Sequence, residues 1–368
     1  MATRALDASN LDTAPLTSSI RLEELRRYRE TLPTAVRPSL RAILVPAILL
    51  AVVLPLLGGF WLALLWDDGW QAEDAGDWLM YLFILGVILI GPFLLIGVVV
   101  RDVAGRAGRR QFRLARFAAA NRLTYSPLSP ALEFPGMIFA LDDGGLGWDV
   151  VRDDSSRGLV IGNYTFVTGS GKNARTHRWG FATVRLGTQL PHIVLDAKGN
   201  NSLGASSLPL VLDPEQRLSL EGDFDRHFTL YAPHGYERDA LYLFTPDVME
   251  RFIDHAGRVD VEIVEDRLYL FSRQDLATLD PDVWRWLFGA LEALTAKSAQ
   301  WERWRDDRLG ETRLEPGGNG ETQIVRPPRG VAAPGRRLQQ IVPWYWVVLG
   351  LAAAGLGVWA LFDNVFGG

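Results

Sequence analysis

The sequence predicts an α+β membrane protein, in which three transmembrane helices are attached to a cytoplasmic, mostly antiparallel β domain with packed helices. Three uncharged apolar stretches, 42–66, 79–100 and 343–362, are each long enough to cross a bilayer as a helix. The charges that flank these stretches are asymmetric. Residues 101–342 have mixed composition and short runs of alternating polarity, which indicate a folded domain outside the bilayer.

The flanking charges predict how the helices are oriented. The connector 67–78 carries five acidic residues and no Lys or Arg, whereas the segments before 42, after 100 and before 343 are rich in Arg. Because Lys and Arg favour the cytoplasmic side, we expect a multi-pass protein of the bacterial plasma membrane, with the N-terminus and the central domain cytoplasmic and the C-terminus outside. The predicted order is a cytoplasmic N-terminal segment at 1–41, a transmembrane hairpin at 42–100, and then the central domain.

A basic helix is predicted at 101–122, directly after the second apolar stretch. Its composition favours a helix, and its arginines suit contact with anionic lipid headgroups. The arginines expected to make this contact are Arg101, Arg106, Arg109, Arg110, Arg113 and Arg116.

The domain predicted at 123–307 contains ten short runs with strand character. Alternation is clear at 178–186, where Trp179 and Phe181 share one face and Ala182 and Val184 share the other. Short connections exclude βαβ crossovers and favour an antiparallel sheet. The runs are 137–141, 147–151, 158–167, 178–186, 192–197, 217–222, 228–232, 240–244, 261–265 and 267–271.

Two helices are predicted within this domain. Residues 245–257 begin with Thr-Pro and end at a glycine, and residues 281–307 follow Asp280 as a capping residue and carry an apolar stripe. The second helix packs on its own sheet or on a partner. Residues 308–342 are rich in Gly and Pro without apolar periodicity, which predicts a flexible linker to the last apolar stretch.

Composition narrows the classes of function. The chain has no cysteine, which removes disulfides, thiolate nucleophiles and cysteine-based metal centres. The net charge is only −5, from 38 basic and 43 acidic residues, so nucleic acid is not an expected partner. No particular cofactor is indicated by any motif.

The best candidate for chemistry is the segment 220–233. If it is extended, Glu221, Asp223, Asp225 and His227 lie on one face and could hold a divalent metal. The alternative is a single helical turn started by Asp225, which would scatter these groups and leave a solvated edge with two buried phenylalanines.

Three functions are therefore considered. The first is a membrane-tethered interaction, scaffold or sensor domain that binds an unidentified protein partner. The second is a metal-dependent enzyme at the membrane surface that uses the residues at 221–227. The third is an accessory subunit of a transport system, for which the lack of ionisable residues in the apolar stretches is unfavourable.

Three segments carry a resemblance to a known group. LEGDFDRHFTLYAP (220–233), ALYLFTPDVMERF (240–252) and VEIVEDRLYLF (261–271) resemble a family of uncharacterised bacterial membrane proteins, known only as a domain of unknown function. The resemblance implies transmembrane segments combined with a cytoplasmic α+β domain. It implies no activity and no catalytic residue.

Overall fold

The computed structural model describes the part of the chain that carries the central sheet. The described residues are 10–32, 105–130, 132–141, 144–154, 157–201, 206, 208–219, 224–245, 248, 259–310, 313–316, 322–325, 331 and 333–340, with the isolated residues 56, 59, 83 and 86. The chain divides into two compact units, Pro15–Arg116 on the one hand, and Met1–Ala14 with Phe117–Gly368 on the other.

The smaller unit contains helical residues on both sides of a long interval that lies outside the described residues. Helix α1 (Ala14–Thr17) begins at its border, helix α2 (Leu22–Thr31) lies within it, and most of the helical residues 105–120, called α3, belong to it. The Tyr28 ring of α2 lies 5.3 Å from that of Phe112 in α3. This contact covers the apolar side of a helix whose other residues are largely charged.

The larger unit is built on a seven-stranded antiparallel sheet. The strands pair in the order β1, β2, β3, β4, β6, β5, and β7 pairs with β4. Their bounds are Thr124–Pro130 (β1), Leu146–Arg152 (β2), Val160–Thr168 (β3), Arg175–Ala197 (β4), Arg217–Leu218 (β5), Phe228–Tyr231 (β6) and Val259–Ser272 (β7). A separate hairpin consists of β8 (Arg313–Pro316) and β9 (Thr322–Val325).

Strand β1 lies at one edge of this sheet and contains two prolines. Pro127 and Pro130 have no N–H and are three residues apart, so one of them removes a donor from the free edge, which disfavours pairing with another chain.

Aromatic side chains fill one face of the sheet, here called the inner face. Trp179 and Phe181 of β4 belong to the same buried cluster as Tyr269 and Phe271 of β7, and the Phe139 ring meets that of Phe181 edge to face at 5.2 Å. Residues 132–141 lie over this face, although their apolar run 137–141 had the appearance of a strand.

The opposite face packs against helices. Helix α4 (Phe224–His227) is a single turn, α5 (Glu237–Leu243) is short, and α6 (Pro281–Gly310) is long. Helix α6 contacts β4 and α5. Five of its buried residues, which recur at the spacing of one helical face, are Trp284, Leu287, Leu291, Leu294 and Trp301.

The predicted membrane architecture is corrected by this structure. Along the described residues, no helix is both long enough and apolar enough to cross a membrane. Helix α6 has the length, but it carries charged residues such as Arg285 and Glu292, and its apolar stripe faces the sheet. For this part of the chain the prediction of a multi-pass membrane protein is wrong.

The three apolar stretches themselves, 42–66, 79–100 and 343–362, lie outside the described residues apart from isolated positions in the first two. The predicted plasma-membrane location and its topology depended on those stretches, so they have no support from the described helices. The fold class of the described residues is α+β with an antiparallel sheet.

Candidate functional site: the bulge between strands β4 and β7

Strands β4 and β7 separate at a bulge in the middle of the sheet. Arg185 pairs with Arg267, but the next pair is Leu190 with Glu265, so β4 advances five residues while β7 advances two. Glu265 adopts a φ of 57°, which is uncommon for a residue with a side chain. Bulges of this kind often lie beside functional sites, because they turn side chains away from the regular ladder.

A segment near the end of the described chain lies over the inner face beside this bulge. It comprises residues 331 and 333–340 and is called the covering segment below. Val331 and Leu338 are buried, with 4% of each side chain exposed. Although the sequence placed these residues in a flexible linker, their described contacts hold them against the sheet.

The covering segment is bound largely through its main chain. The Gln339 N–H donates to Gln216 Oε1 at 2.8 Å, and the Asp213 N–H donates to the Gln339 carbonyl at 3.1 Å. Gln340 forms an isolated antiparallel bridge with Leu212. Of these contacts, the one between Asp213 and Gln339 joins main chain to main chain, as when an extended peptide is added to a sheet.

A buried imidazole also binds the covering segment. The Leu338 N–H donates to His192 Nδ1 at 2.9 Å, so this nitrogen carries a lone pair. In the neutral ring the proton is then on Nε2, which lies 2.9 Å from Glu262 Oε1 and donates to it. The other carboxylate oxygen of Glu262 accepts from the Met137 N–H at 2.7 Å.

The His192–Glu262 pair therefore connects two chain segments to the sheet. His192 is 5% exposed and Glu262 is 1% exposed, so the pair is out of contact with bulk water. Each polar atom of the pair has a matching partner, which is the condition under which buried polar groups are tolerated.

A cavity of about 340 Å³ opens between the bulge and the covering segment. Arg337 pairs there with Glu265, with Nη2 2.8 Å from Oε1. The Arg336 Nε donates to the Val331 carbonyl at 3.0 Å. The cavity is lined by Gln189, Leu190, Glu265, Val331, Arg336 and Arg337.

Two further buried carboxyl groups lie on the same sheet. Val261 pairs with Leu195 in the antiparallel register. Asp260 precedes Val261 and Asp196 follows Leu195, so these two residues lie opposite each other. The Ala197 N–H and the Asn200 amide donate to the two oxygens of Asp260 at 2.8 and 2.9 Å.

The environment of both carboxyl groups favours their neutral forms. Burial is the main cause that raises the pKa of Asp260 to about 7, and the negative charge of Asp196 adds to it. Burial also raises the pKa of Asp196. Among the described residues, Asp196 Oδ1 has no hydrogen-bond partner.

The four predicted metal ligands are not seen together as a set. Glu221 and Asp223 lie outside the described residues. Asp225 and His227 lie in α4, where Phe224 stacks on Phe228 at 4.7 Å, so the single helical turn is the arrangement observed.

The surroundings of the two described residues are those of a helical turn at the surface. The Ser219 hydroxyl donates to Asp225 Oδ2, and the side chain of His227 is exposed. Among the described residues, no three side chains of the types that ligate metals come together.

The arginines of the predicted basic helix are in different environments. Arg101 lies outside the described residues, and Arg106 and Arg109 are exposed. The half-buried Arg113 donates to the Ser18 carbonyl at 3.4 Å, and the half-buried Arg110 and Arg116 lie on the same helix. Their contact with anionic lipid headgroups stays a prediction.

The residues at the bulge were not predicted from the sequence. The signal that could have found them is a polar residue within an apolar run, as with Glu262 between Val261 and Ile263, and His192 before Ile193 and Val194. The covering segment carries no such signal, because Gly, Pro and Arg dominate it.

No family model and no curated protein matches the chain. Among solved structures, the chain is similar to the crystal structure of the mycobacterial trehalose monomycolate transport factor A, TtfA, at 12% identity and a TM-score of 0.33. The match covers 51% of this chain and 95% of that chain, and at this TM-score it supports no statement about fold or function. The resemblance to an uncharacterised bacterial family stays a prediction.

Proposed function

We propose that this protein is an interaction domain, with a scaffold or sensor role, that binds an extended peptide segment on the inner face of its sheet. In the conformation described, the chain's own covering segment occupies that position. The observation that supports the proposal most directly is the binding of Leu338 and Gln339 through main-chain groups to His192, Gln216 and Asp213.

This arrangement contains the elements of peptide recognition. Main-chain hydrogen bonds supply affinity that does not depend on sequence, while pockets for single side chains supply specificity. Here the specific contacts are the buried Leu338 and the ion pair of Arg337 with Glu265. A partner that fits this face would therefore present a basic residue followed by an apolar one.

The acceptors that receive the peptide are fixed in advance. The His192 ring is oriented by Glu262, which is itself held by Met137, so little side-chain freedom is lost when a peptide binds. A segment bound within the same chain can exchange for a partner segment when the partner's contacts are better or its concentration is high.

Neither alternative function gains a comparable observation. The described members of the predicted metal set, Asp225 and His227, lie on a short surface helix. The interaction domain is therefore the function that the geometry supports best.

Peptide exchange on the full-length protein tests this proposal. A fluorescent peptide with the sequence of residues 331–340, VAAPGRRLQQ, is titrated into the wild-type protein and into the variant Leu338→Asp. Burial of a leucine side chain stabilises the bound segment by about 2 kcal/mol, so a charged residue at 338 should release the segment and vacate the sheet. The peptide should then bind the variant far more tightly than the wild type.

Matched controls separate exchange from general unfolding. Leu241→Asp makes the same substitution at a leucine of α5 that is 45% exposed. This variant should bind the peptide no more tightly than the wild type does. A peptide with Asp in place of the leucine should bind neither variant. Equal binding to all three proteins, or no binding to a folded Leu338→Asp variant, contradicts the proposal.

A further inference from the structure

The cavity at the bulge combines a positive charge with apolar walls. Arg337 is neutralised by Glu265 at 2.8 Å. Arg336 uses its Nε for the Val331 carbonyl, and no carboxylate among the described residues is paired with this guanidinium. The side of the cavity formed by Arg336 is therefore electropositive.

Two other residues that line the cavity are apolar and buried. Leu190 is 1% exposed and belongs to β4, and Val331 is 4% exposed and belongs to the covering segment. A volume of about 340 Å³ is within the range of small-molecule sites, which are mostly apolar with a few polar groups that orient the ligand. It is too small for a folded partner.

We infer that this cavity binds a small organic carboxylate, with the carboxylate on Arg336 and a compact apolar group against Leu190 and Val331. The terminal nitrogens of a guanidinium form a planar fork that matches the two oxygens of a carboxylate. The Gln189 amide, at the rim of the cavity, supplies a further donor.

Binding of such a ligand would act on the covering segment. Val331, Arg336 and Arg337 come from this segment, whereas Gln189, Leu190 and Glu265 come from the sheet. A ligand that contacts both sides stabilises the closed arrangement, because it binds that arrangement and not the open one. The carboxylate site would exist in the closed protein whether or not a partner peptide can replace the segment.

Calorimetric titration of the full-length protein with three probes tests the inference. Hexanoate combines a carboxylate with an apolar group, hexan-1-ol has only the apolar group, and inorganic phosphate has only the charge. Hexanoate should bind at least about tenfold more tightly than either of the others, since a charge-assisted bidentate contact contributes at least that factor. Equal affinity of hexanoate and hexan-1-ol, or of hexanoate and phosphate, overturns the inference, as does no binding of hexanoate.

Variants assign the binding to the cavity. Arg336→Gln should lower the affinity for hexanoate by about tenfold or more. Arg285→Gln, at an exposed arginine of α6, should leave this affinity unchanged. Gln189→Glu tests the same site without touching the covering segment, since an added negative charge at the rim should repel the carboxylate. Unchanged hexanoate affinity in Gln189→Glu overturns the assignment, even if Arg336→Gln proves to be unfolded. If hexanoate binds but the peptide does not exchange, the proposed interaction function is contradicted and the carboxylate site is not.

Discussion

His192 and Glu262 face each other across strands β4 and β7, with Nε2 2.9 Å from Oε1, and both side chains are shielded from solvent. Glu262 receives two N–H donors, one from His192 and one from Met137, and His192 receives the N–H of Leu338. This chain of three hydrogen bonds joins residues 137, 262, 192 and 338, so it connects the two segments that lie over the inner face.

Glu262→Gln should destabilise the protein although it preserves the shape of the side chain. Both partners of Glu262 are donors, and the amide that replaces the carboxylate has only one oxygen, so one donor meets the NH₂ group. A buried polar group left without its partner costs roughly 1–3 kcal/mol. Urea unfolding of the variant and the wild type measures this cost.

Glu292→Gln is the matched control for that variant. Glu292 is exposed on α6, and its substitution should change the free energy of unfolding by less than about 0.5 kcal/mol. If Glu262→Gln is as stable as Glu292→Gln, Glu262 does not accept both donors.

Asp260→Asn should remove a dependence of stability on pH. In the folded protein burial raises the pKa of Asp260 to about 7, whereas its ordinary value is 3.8. The folded state then binds the proton more tightly, so the contribution of Asp260 is full below about pH 4 and is lost as the pH rises to about 7. A difference of about three pKa units corresponds to roughly 4 kcal/mol over this range.

The measurement is the free energy of unfolding between pH 4 and pH 8. The wild type should lose stability across this window, and Asp260→Asn should lose much less, with a residual slope of the same sign from Asp196, whose pKa is also raised by burial. Identical pH profiles for the two proteins would show that Asp260 is not protonated in the folded state at neutral pH.

Substitution by alanine should have opposite effects on stability at two glycines. A Cβ on Gly180 would lie 2.3 Å from the Gln274 carbonyl oxygen and 2.4 Å from the Leu276 nitrogen, so β4 or the loop before α6 would have to move. A Cβ on Gly289 meets nothing within 4 Å. We expect Gly180→Ala to lower the melting temperature, and Gly289→Ala to raise stability by about 0.5–1 kcal/mol because glycine is unfavourable within a helix. A stable Gly180→Ala variant would contradict the close approach of the loop.

Asn163→Ala should release the loop that precedes α6. The Asn163 Oδ1 accepts from the N–H groups of Leu276 and Ala277 at 3.0 and 3.3 Å, and its Nδ2 donates to the Ala277 carbonyl at 3.3 Å. Asn163 is fully buried, so its loss leaves these backbone groups without partners and should cost roughly 2–4 kcal/mol. Thermal unfolding measures the cost. Thr176→Ala, at an exposed position of β4, should not change the free energy of unfolding. A similarly small effect of Asn163→Ala would contradict its hydrogen bonds to the loop.

Much of the secondary structure could be predicted from local pattern. The runs 178–186 and 192–197 lie in β4, and 261–265 and 267–271 lie in β7, as their alternation indicated. The helix predicted from Pro281 is confirmed as Pro281–Gly310. The helix predicted at 245–257 lies almost entirely outside the described residues.

Other local predictions failed for identifiable reasons. The apolar run 240–244 predicts a strand, but residues 237–243 form α5, because five apolar residues do not distinguish a strand from one side of a short helix. Strand β1 was missed because its two prolines are typical of loops.

The candidate site could not be predicted, because it depends on contacts between distant parts of the chain. His192 meets Glu262 across 70 residues, and Leu338 meets His192 across 146. The bulge interrupts the pairing of β4 between Arg185 and Leu190, where the sequence indicates only a turn between two strands. Local periodicity contains no information on such pairings. The metal set predicted at 221–227 depends on residue type and on an extended conformation, whereas Phe224–His227 form a helical turn.

Hydrogen exchange at the amides of Leu338 and Gln339 tests most directly whether the covering segment is bound to the sheet. These two N–H groups donate to His192 and Gln216, so in the wild-type protein they should exchange far more slowly than in a free peptide of the same sequence, and Leu338→Asp should abolish their protection. Exchange of both amides at the rate of the free peptide would contradict the account.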